Sequence, residues 1–241
     1  SDQPMSRLLQ GDVGSGKTVV ALAALLASVS AGYQGVFMAP TEVLAEQHFL
    51  TVRRLLSMKD KSHDDGPLVT VNTEWTSKPL RLGLLIGSMT KKTKTQVQLA
   101  VSSAEVDILI GTHAVIQERV TVPNLGLAVV DEQHRFGVMQ RASLREKSVR
   151  PHLLAMSATP IPRSLYLTLY GDLDVSVLDE MPPGRQDIRT RLVPPENREA
   201  AYEMVRREVK AGRQVFVVCP LIQESEVLQT RAATQEYEKL S

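Results

Sequence analysis

The sequence predicts an α/β fold in which a mostly parallel sheet lies between helices on both of its faces. Apolar runs, each closed by a polar or glycine-bearing turn, recur along the chain at residues 7–10, 36–39, 82–86, 106–110, 125–130 and 153–156. Because polar residues do not alternate within them, these runs indicate strands that are buried on both faces. Helix-like stretches at residues 19–29, 43–56 and 95–101 lie between the runs. Such alternation is typical of doubly wound domains, which bind ligands at the carboxyl ends of their strands.

Composition limits the classes of protein to which the chain can belong. It has 241 residues, 43% of them hydrophobic, which suits one sizeable domain and a smaller part. The formal net charge is only +1, so any nucleic-acid contact must come from a local surface. The single cysteine, Cys219, excludes an internal disulfide framework and favours a reducing compartment. We recognise no membrane-length apolar segment and no signal peptide, and expect no membrane partner.

The segment at residues 57–79 interrupts the pattern of strands and helices. It is rich in Ser, Thr, Asp and Lys and contains the only tryptophan, Trp75. A structureless connection longer than about 15 residues is unusual inside a compact domain. We therefore expect an exposed, poorly ordered insertion, with a partner-binding loop as the alternative.

Prolines and a glycine at residues 182–184 predict the end of the first domain. We assign residues 1–178 to this domain and residues 179–195 to a linker. An extended run, a helix and an apolar strand are expected to follow, at residues 188–192, 196–210 and 215–218. Because one helix and one strand cannot close a core, residues 196–241 are interpreted as the truncated start of a second domain.

The most specific motif is a phosphate-binding loop of the form G-x-x-x-x-G-K-[ST], between a predicted strand and a predicted helix. Its members are the candidate nucleotide ligands Gly11, Asp12, Val13, Gly14, Ser15, Gly16, Lys17 and Thr18. Gly14 and Gly16 allow turns in which successive N–H groups point at phosphates. Lys17 is expected to reach the outer phosphates and Thr18 to offer its hydroxyl to Mg²⁺. The positive end of the following helix adds to the attraction.

Two carboxylates, Asp131 and Glu132, follow the apolar run at residues 125–130. We expect Asp131 to orient Mg²⁺ through its water shell and Glu132 to position and activate the attacking water. By itself the pair is equally typical of a helix cap. Combined with the phosphate loop it predicts a nucleoside triphosphatase with Lys17, Asp131 and Glu132 as catalytic residues. A transporter ATPase or a kinase is the alternative, but the signature Leu-Ser-Gly-Gly-Gln of the former does not occur.

Turns after three further predicted strands contain candidate contacts to nucleic-acid phosphates, namely Pro40, Thr41, Gly87, Ser88, Thr112 and His113. Each turn alone is typical of an ordinary helix cap. The functional interpretation rests on their shared placement at one sheet edge, where N–H groups and hydroxyls contact phosphates. Hydroxyls of Ser157 and Thr159 lie beside the Asp131 strand end and are candidate coupling residues, together with Gln133 and His134. His134 lacks a partner at metal-ligand spacing and is therefore not interpreted as a zinc ligand.

Five motifs in order make the chain resemble the helicase core of the RecG family of superfamily-2 DNA motors. They are residues 11–18, 39–48 (Ala-Pro-Thr-Glu-Val-Leu-Ala-Glu-Gln-His), 111–117 (Gly-Thr-His-Ala-Val-Ile-Gln), 131–138 (Asp-Glu-Gln-His-Arg-Phe-Gly-Val) and 157–163 (Ser-Ala-Thr-Pro-Ile-Pro-Arg). Transcription-repair coupling factors are similar, but usually have Asp-Glu-Glu-His where this chain has Asp-Glu-Gln-His. They are the second interpretation.

The resemblance implies a RecA-like domain followed by the start of a second one, using ATP and Mg²⁺. It implies a monomeric helicase, of the 3′–5′ class, that remodels branched DNA such as stalled forks in repair and recombination. It also implies an intracellular place of action, in the bacterial cytoplasm or nucleoid, with a plastid or mitochondrial version as the alternative because of the 57–79 insertion. RNA as the track, and a nucleotide switch with little hydrolysis, stay open on residue chemistry alone.

Overall fold

The chain divides into two compact units, residues 1–185 and 186–241, and this boundary lies inside the predicted linker. We analyse a computed structural model that describes residues 4–57, 66–112, 115, 120–131, 151–158, 173–180, 188 and 190–218. Among these residues there is no helix with the length and apolar character needed to cross a bilayer.

Eight strands of the first unit form one sheet. They are β1 (Ser6–Gly11), β2 (Gln34–Met38), β3 (Leu68–Val71), β4 (Leu80–Leu85), β5 (Ile108–Gly111), β6 (Leu125–Val130), β7 (His152–Ser157) and β8 (Asp174–Leu178). The helices described in this unit are α1 (Lys17–Ser30), α2 (Glu42–Leu56) and α3 (Lys91–Ser102). The second unit has a short 3-10 helix (Pro195–Asn197) and α4 (Arg198–Lys210). Every helix predicted from the sequence is therefore present, with ends shifted by a few residues.

The strand order in the sheet is β3-β4-β5-β2-β6-β7-β1-β8. All neighbours are parallel except β3 and β4, which pair antiparallel. The predicted parallel sheet is confirmed. Because β1, β2, β4, β5, β6 and β7 run in the same direction, the turns that follow them lie at one edge, called here the carboxyl edge.

Helices cover both faces of this sheet and bury two apolar cores. Leu25 of α1 and Phe49 of α2 pack in one core with Phe37 of β2. Val97 of α3 belongs to the other core, together with Leu109 of β5. Successive strand residues point to opposite faces, so an uninterrupted apolar strand fills both cores.

The position of helix α2 is determined by its N-cap and by the charges at its two ends. Its N-cap, Thr41, has extended backbone angles, and the side-chain oxygen accepts a hydrogen bond from the N–H of Leu44 at 3.3 Å. Glu42 lies in the first turn, and Arg53 and Arg54 lie in the last. This distribution of charge stabilises the helix dipole at both ends.

The expectation of a poorly ordered insertion over residues 57–79 is wrong for β3, which lies inside that segment. Val69 and Val71 are each 2% exposed, and the strand pairs with β4. The alternating run Leu-Val-Thr-Val is a strand pattern of only four residues. The polar composition of the flanking residues concealed it. The structure does not describe residues 58–65 of this segment.

The strand predicted at residues 215–218 is also wrong. Residues 213–218 have no regular secondary structure, and Phe216 and Val218 are 86% and 91% exposed. An apolar run becomes a strand only when a neighbouring strand satisfies its backbone groups. Within the described part of the second unit these residues have no such neighbour.

A buried glutamine provides a test of the fold. It lies where the parallel strands begin, at the edge of the sheet opposite the carboxyl edge. Gln34 is 5% exposed; its Nε2 donates to the carbonyls of Val101 and Val106, at 3.1 and 2.8 Å, and its Oε1 accepts from the N–H of Asn124 at 3.3 Å. Replacing it with leucine removes all three of these bonds from a buried position, although the carbonyl of Val101 keeps its bond from the N–H of Ala104. We expect Gln34→Leu to lower the free energy of unfolding by about 2 kcal/mol, measured by denaturant titration. Gln96→Leu, on the exposed face of α3, is the control. Equal midpoints for the two variants would contradict this account.

Candidate nucleotide and nucleic-acid site

Backbone hydrogen bonds join the turns at the carboxyl edge. The N–H of Asp131, after β6, donates to the carbonyl of Met38 at 2.8 Å. The N–H of Ala39, after β2, donates to the carbonyl of Gly111 at 2.8 Å. The N–H of Thr112 reaches the carbonyl of Leu85 at 3.3 Å. Residues far apart in sequence are therefore neighbours at this edge, as the motif positions predict.

The phosphate-loop motif follows β1 and adopts a turn with two positive φ angles. Gly14 has φ 83° and Gly16 has φ 92°. The N–H of Ser15 donates to the carbonyl of Asp12 at 3.2 Å, which closes the turn. Residues with a Cβ atom rarely adopt such angles, so the conformation depends on these glycines.

Helix α1 begins directly after the loop without a side-chain cap. Gly16 is its N-cap, no acidic residue lies in its first turn, and no side chain bonds to its first N–H groups. By contrast, α2 and α3 are capped by Thr41 and Thr90. Within the described residues the N–H groups of Gly16, Lys17 and Thr18 donate no hydrogen bond. Uncapped N–H groups at the positive end of a helix dipole are a site for an anion.

Lys17 lies across the loop. Its Nζ donates to the carbonyls of Gly11 and Asp12, both at 2.7 Å, and the side chain is half-buried. These bonds hold the ammonium group at the loop, next to the uncapped N–H groups. The arrangement concentrates positive charge where a triphosphate would bind.

The loop also passes a test of fit for a phosphate ligand. The Oγ of Ser15 is buried and has no hydrogen-bond partner in the described part of the chain. Buried hydroxyls normally have partners. A Cβ atom added to Gly16 would meet nothing within 4 Å. A buried hydroxyl without a partner and an unobstructed backbone at Gly16 are both compatible with an oxygen-rich ligand at the loop.

Gly11 is in the motif for a packing reason. A Cβ atom at this position would lie 2.6 Å from the Oγ of Ser15 and 2.9 Å from the Cβ of Leu178 in β8. Gly11 therefore lets the loop approach the edge strand closely. Its predicted role as a nucleotide ligand receives no separate support from this geometry.

Two glycines with similar positive φ angles allow an effect on nucleotide binding to be distinguished from an effect on stability. Gly16 (φ 92°) and Gly32 (φ 88°) lie at opposite ends of α1, and a Cβ atom at either would meet nothing within 4 Å. Alanine at either position costs about 1–2 kcal/mol of folding free energy. In Gly16→Ala the backbone is expected to leave the positive φ angle that alanine disfavours, which turns the N–H groups of the loop away from the nucleotide site. We expect nucleotide affinity about tenfold weaker in this variant and unchanged affinity in Gly32→Ala, both measured by fluorescence titration. Equal affinities would contradict the role of the loop.

Asp131 lies at the end of β6, with its side chain 14% exposed. Its Oδ2 accepts a hydrogen bond of 2.8 Å from Nε2 of His48 in α2. The His48 ring also packs on Phe37, with ring centroids 4.5 Å apart. Sequence reasoning missed this contact. The available signal was a polar residue on the buried face of α2, between Ala45 and Val52.

The candidate nucleic-acid contacts lie at the part of the carboxyl edge that follows β2, β4 and β5, away from the phosphate loop. Pro40, Thr41, Gly87 and Ser88 are exposed or half-exposed there. The Oε1 of Glu42 accepts a hydrogen bond of 3.1 Å from the N–H of Ser88, so these two turns are joined. The hydroxyl of Thr41 also caps α2.

Thr112 and Ser157 lie at the same edge but are buried, 3% and 1% exposed. The side chain of Thr112 is therefore not presented on the surface, unlike the other candidate contacts. Ser157 pairs in register with Gln10, the residue before the phosphate loop, which places it between the loop and β6. The predicted residues Glu132, Gln133, His134, Thr159 and His113 lie outside the described residues.

Comparison with known proteins identifies the family. The sequence profile of the DEAD/DEAH box helicases matches residues 3–167. The chain is 48% identical over 238 residues to the ATP-dependent DNA helicase RecG of Synechocystis, covering 99% of this chain and 26% of that protein. RecG of Thermotoga maritima is 48% identical over 241 residues, which are 100% of this chain and 28% of that protein.

A solved structure of RecG bound to a three-way DNA junction matches with a TM-score of 0.70 and 42% identity. The match covers 100% of this chain and 29% of that one. The predicted RecA-like fold of the first domain is confirmed by this likeness. The chain belongs to the DEAD/DEAH box helicase family, and its similarity within that family is to RecG.

Proposed function

We propose that the chain is the ATP-binding core of a DNA helicase that remodels branched DNA, such as stalled replication forks and recombination intermediates. The observation that carries this proposal is the carboxyl edge, where the phosphate loop and Asp131 lie on the same sheet as the exposed turns at Thr41 and Ser88. The similarity to RecG, one structure of which is bound to a three-way DNA junction, supports DNA as the track and a branch as its form.

In this mechanism Lys17 and the N–H groups of residues 16–18 bind the outer phosphates of ATP. The hydroxyl of Thr18 would hold Mg²⁺ together with the carboxylate of Asp131, which would act through the water shell of the ion; bound there, the ion would neutralise charge that develops on the phosphates. Asp131 follows β6 and the phosphate loop follows β1. One strand, β7, lies between β6 and β1, so these two strands are roughly 10 Å apart. Glu132 orients the attacking water and accepts its proton.

Binding to DNA uses backbone N–H groups and hydroxyls of the turns at residues 40–41 and 87–88, with His113 as a further contact. Gln133, His134, Ser157 and Thr159 couple the γ-phosphate site to this surface. From the resemblance to RecG we infer the 3′–5′ class and a monomeric state. Because the relatives named above are bacterial, we place the helicase in the cytoplasm or nucleoid of a bacterium. A plastid or mitochondrial nucleoid is the alternative.

By themselves, the 241 residues are expected to hydrolyse ATP weakly. Helicases of this type complete the site with an arginine from a second motor domain, an effect of about 10³–10⁵ in related phosphate chemistry. The described part of the second unit contains a 3-10 helix, α4 and residues without regular secondary structure. We therefore expect full turnover only in a protein that has a complete second motor domain.

ATP hydrolysis by the protein at the length that its gene encodes tests the proposal, measured without nucleic acid, with linear duplex DNA, with a model fork of equal length and with the matching RNA. We expect the fork to raise the rate more than linear duplex does. Equal stimulation by linear duplex would favour a translocase like the transcription-repair coupling factor. Slow hydrolysis indifferent to every nucleic acid would overturn the motor function and favour a nucleotide switch.

A further inference from the structure

The hydrogen bond between His48 and Asp131 lies at the border between two halves of the carboxyl edge. The phosphate loop follows β1, Asp131 follows β6 and Ser157 ends β7, and these three strands are adjacent in the sheet. The turns with the candidate nucleic-acid contacts follow β2, β5 and β4, which are adjacent on the other side. Strands β2 and β6 meet at the border. His48, on the helix that follows β2, contacts the carboxylate that follows β6.

The contact has the features of a held positioning bond. Its length is 2.8 Å and the two side chains are 13% and 14% exposed, so solvent competes weakly for it. A carboxylate only accepts hydrogen bonds, so Nε2 of His48 is the donor. Phe37, fully buried, packs against the imidazole ring in a tilted arrangement. The bond to Oδ2 fixes the rotation of the carboxylate and hence the direction in which Asp131 faces a metal ion.

Helix α2 connects this bond to the nucleic-acid half of the edge. Its N-cap Thr41 is exposed at that half, and Glu42 in its first turn binds the N–H of Ser88. His48 follows less than two turns along the same helix. A shift of α2 on contact with a nucleic acid would therefore move the donor that holds Asp131.

We propose that His48 is a positioning residue for Asp131, and that through it α2 transmits nucleic-acid binding to the Mg²⁺ site. The proposal rests on the proposed function, because it needs Asp131 to hold the metal of a nucleotide complex. It assigns a role to a histidine that the sequence motifs leave without one. Residues that orient a metal ligand typically change metal affinity or activity by 10- to 100-fold when replaced.

Three variants at one position separate positioning from packing. His48→Leu keeps an apolar side chain on Phe37 and removes the donor. His48→Gln carries an amide nitrogen three bonds from Cβ, as Nε2 of histidine is, and restores a donor at the same reach. His48→Asn places its nitrogen one bond short. If His48 only fills space, the leucine variant should retain the most Mg²⁺ affinity. If His48 positions Asp131, the glutamine variant should retain the most.

The primary readout is binding, independent of turnover. A fluorescent non-hydrolysable ATP analogue is titrated into the protein at the length that its gene encodes at increasing Mg²⁺, and Mn²⁺ binding in the same complex is followed by electron paramagnetic resonance. We expect the half-saturating Mg²⁺ to rise about tenfold in His48→Leu and His48→Asn and to return within about threefold of the unmodified chain in His48→Gln. His152→Leu is the control, since His152 begins β7 at the opposite edge, where its Nδ1 accepts a hydrogen bond from the N–H of Met5.

A second arm repeats the titration with a model fork present. We expect the fork to lower the half-saturating Mg²⁺ in the unmodified chain and in His48→Gln, but not in His48→Leu. If all three His48 variants match the unmodified protein in both arms, or if His48→Leu needs less Mg²⁺ for half-saturation than His48→Gln, the inference is overturned while the proposed function stands. If the unmodified chain shows no Mg²⁺-dependent nucleotide binding, the proposed function fails and the inference fails with it.

Discussion

Lys17→Ala is expected to lower ATP hydrolysis by about 100- to 1000-fold, the usual effect of removing one preorganised charged donor from a reacting phosphate or oxyanion. The ammonium group lies at the loop, bonded to the carbonyls of Gly11 and Asp12. No other side chain of the loop motif carries a positive charge. The measurement is the steady-state rate in the protein at the length that its gene encodes, with saturating fork DNA.

The control for Lys17→Ala is Lys78→Ala. Lys78 is exposed and precedes β4 at the opposite edge of the sheet. Thermal unfolding of both variants shows whether loss of the two loop bonds disturbs the fold. A Lys17→Ala protein that folds normally and hydrolyses ATP at the unmodified rate would exclude the phosphate loop as the nucleotide site.

Asp131→Asn is expected to lower Mg²⁺-dependent hydrolysis by about 100-fold or more. The substitution keeps the shape of the side chain and an oxygen that can accept from His48, but it removes the charge that attracts the metal. Nucleotide binding in the presence of a chelator should change little, because the phosphate loop is intact. The measurement is the rate as a function of Mg²⁺ concentration.

Asp174→Asn provides the matched comparison for Asp131→Asn. Asp174 begins β8 at the opposite edge, is 74% exposed and pairs with Arg7. Removing an exposed charge of this kind has little effect on stability and should leave the Mg²⁺ requirement unchanged. If Asp131→Asn retained the unmodified Mg²⁺ requirement, Asp131 would not be the metal ligand.

The inner strands of the sheet could be predicted from the sequence, whereas its two outermost strands could not. Strands β5 and β6 lie between neighbours on both sides and are buried along their length, so their apolar runs have no competing interpretation. Strands β3 and β8 lie at the two edges. In β8, Val175 and Val177 are 41% and 60% exposed. An edge strand shows a short, mixed pattern that composition alone does not distinguish from a loop.

The motifs of the site could be predicted because each is a contiguous run with its own chemistry. The partners that hold those motifs could not, since they depend on tertiary contacts between distant residues. The orphaned hydroxyl of Ser15 is evident only once its burial is known. The bond from His48 to Asp131 spans 83 residues of sequence. Burial also changed one prediction, because Thr112 follows its strand as expected but is turned into the protein.

Remodelling of a labelled model fork tests the central claim most directly. The protein at the length that its gene encodes is mixed with the fork and with ATP, with a non-hydrolysable analogue or with no nucleotide, and the DNA products are separated on a native gel. We predict that new duplex products form only with ATP and Mg²⁺, and that Lys17→Ala forms none. A fork left intact while ATP is hydrolysed at a rate independent of DNA would contradict the account.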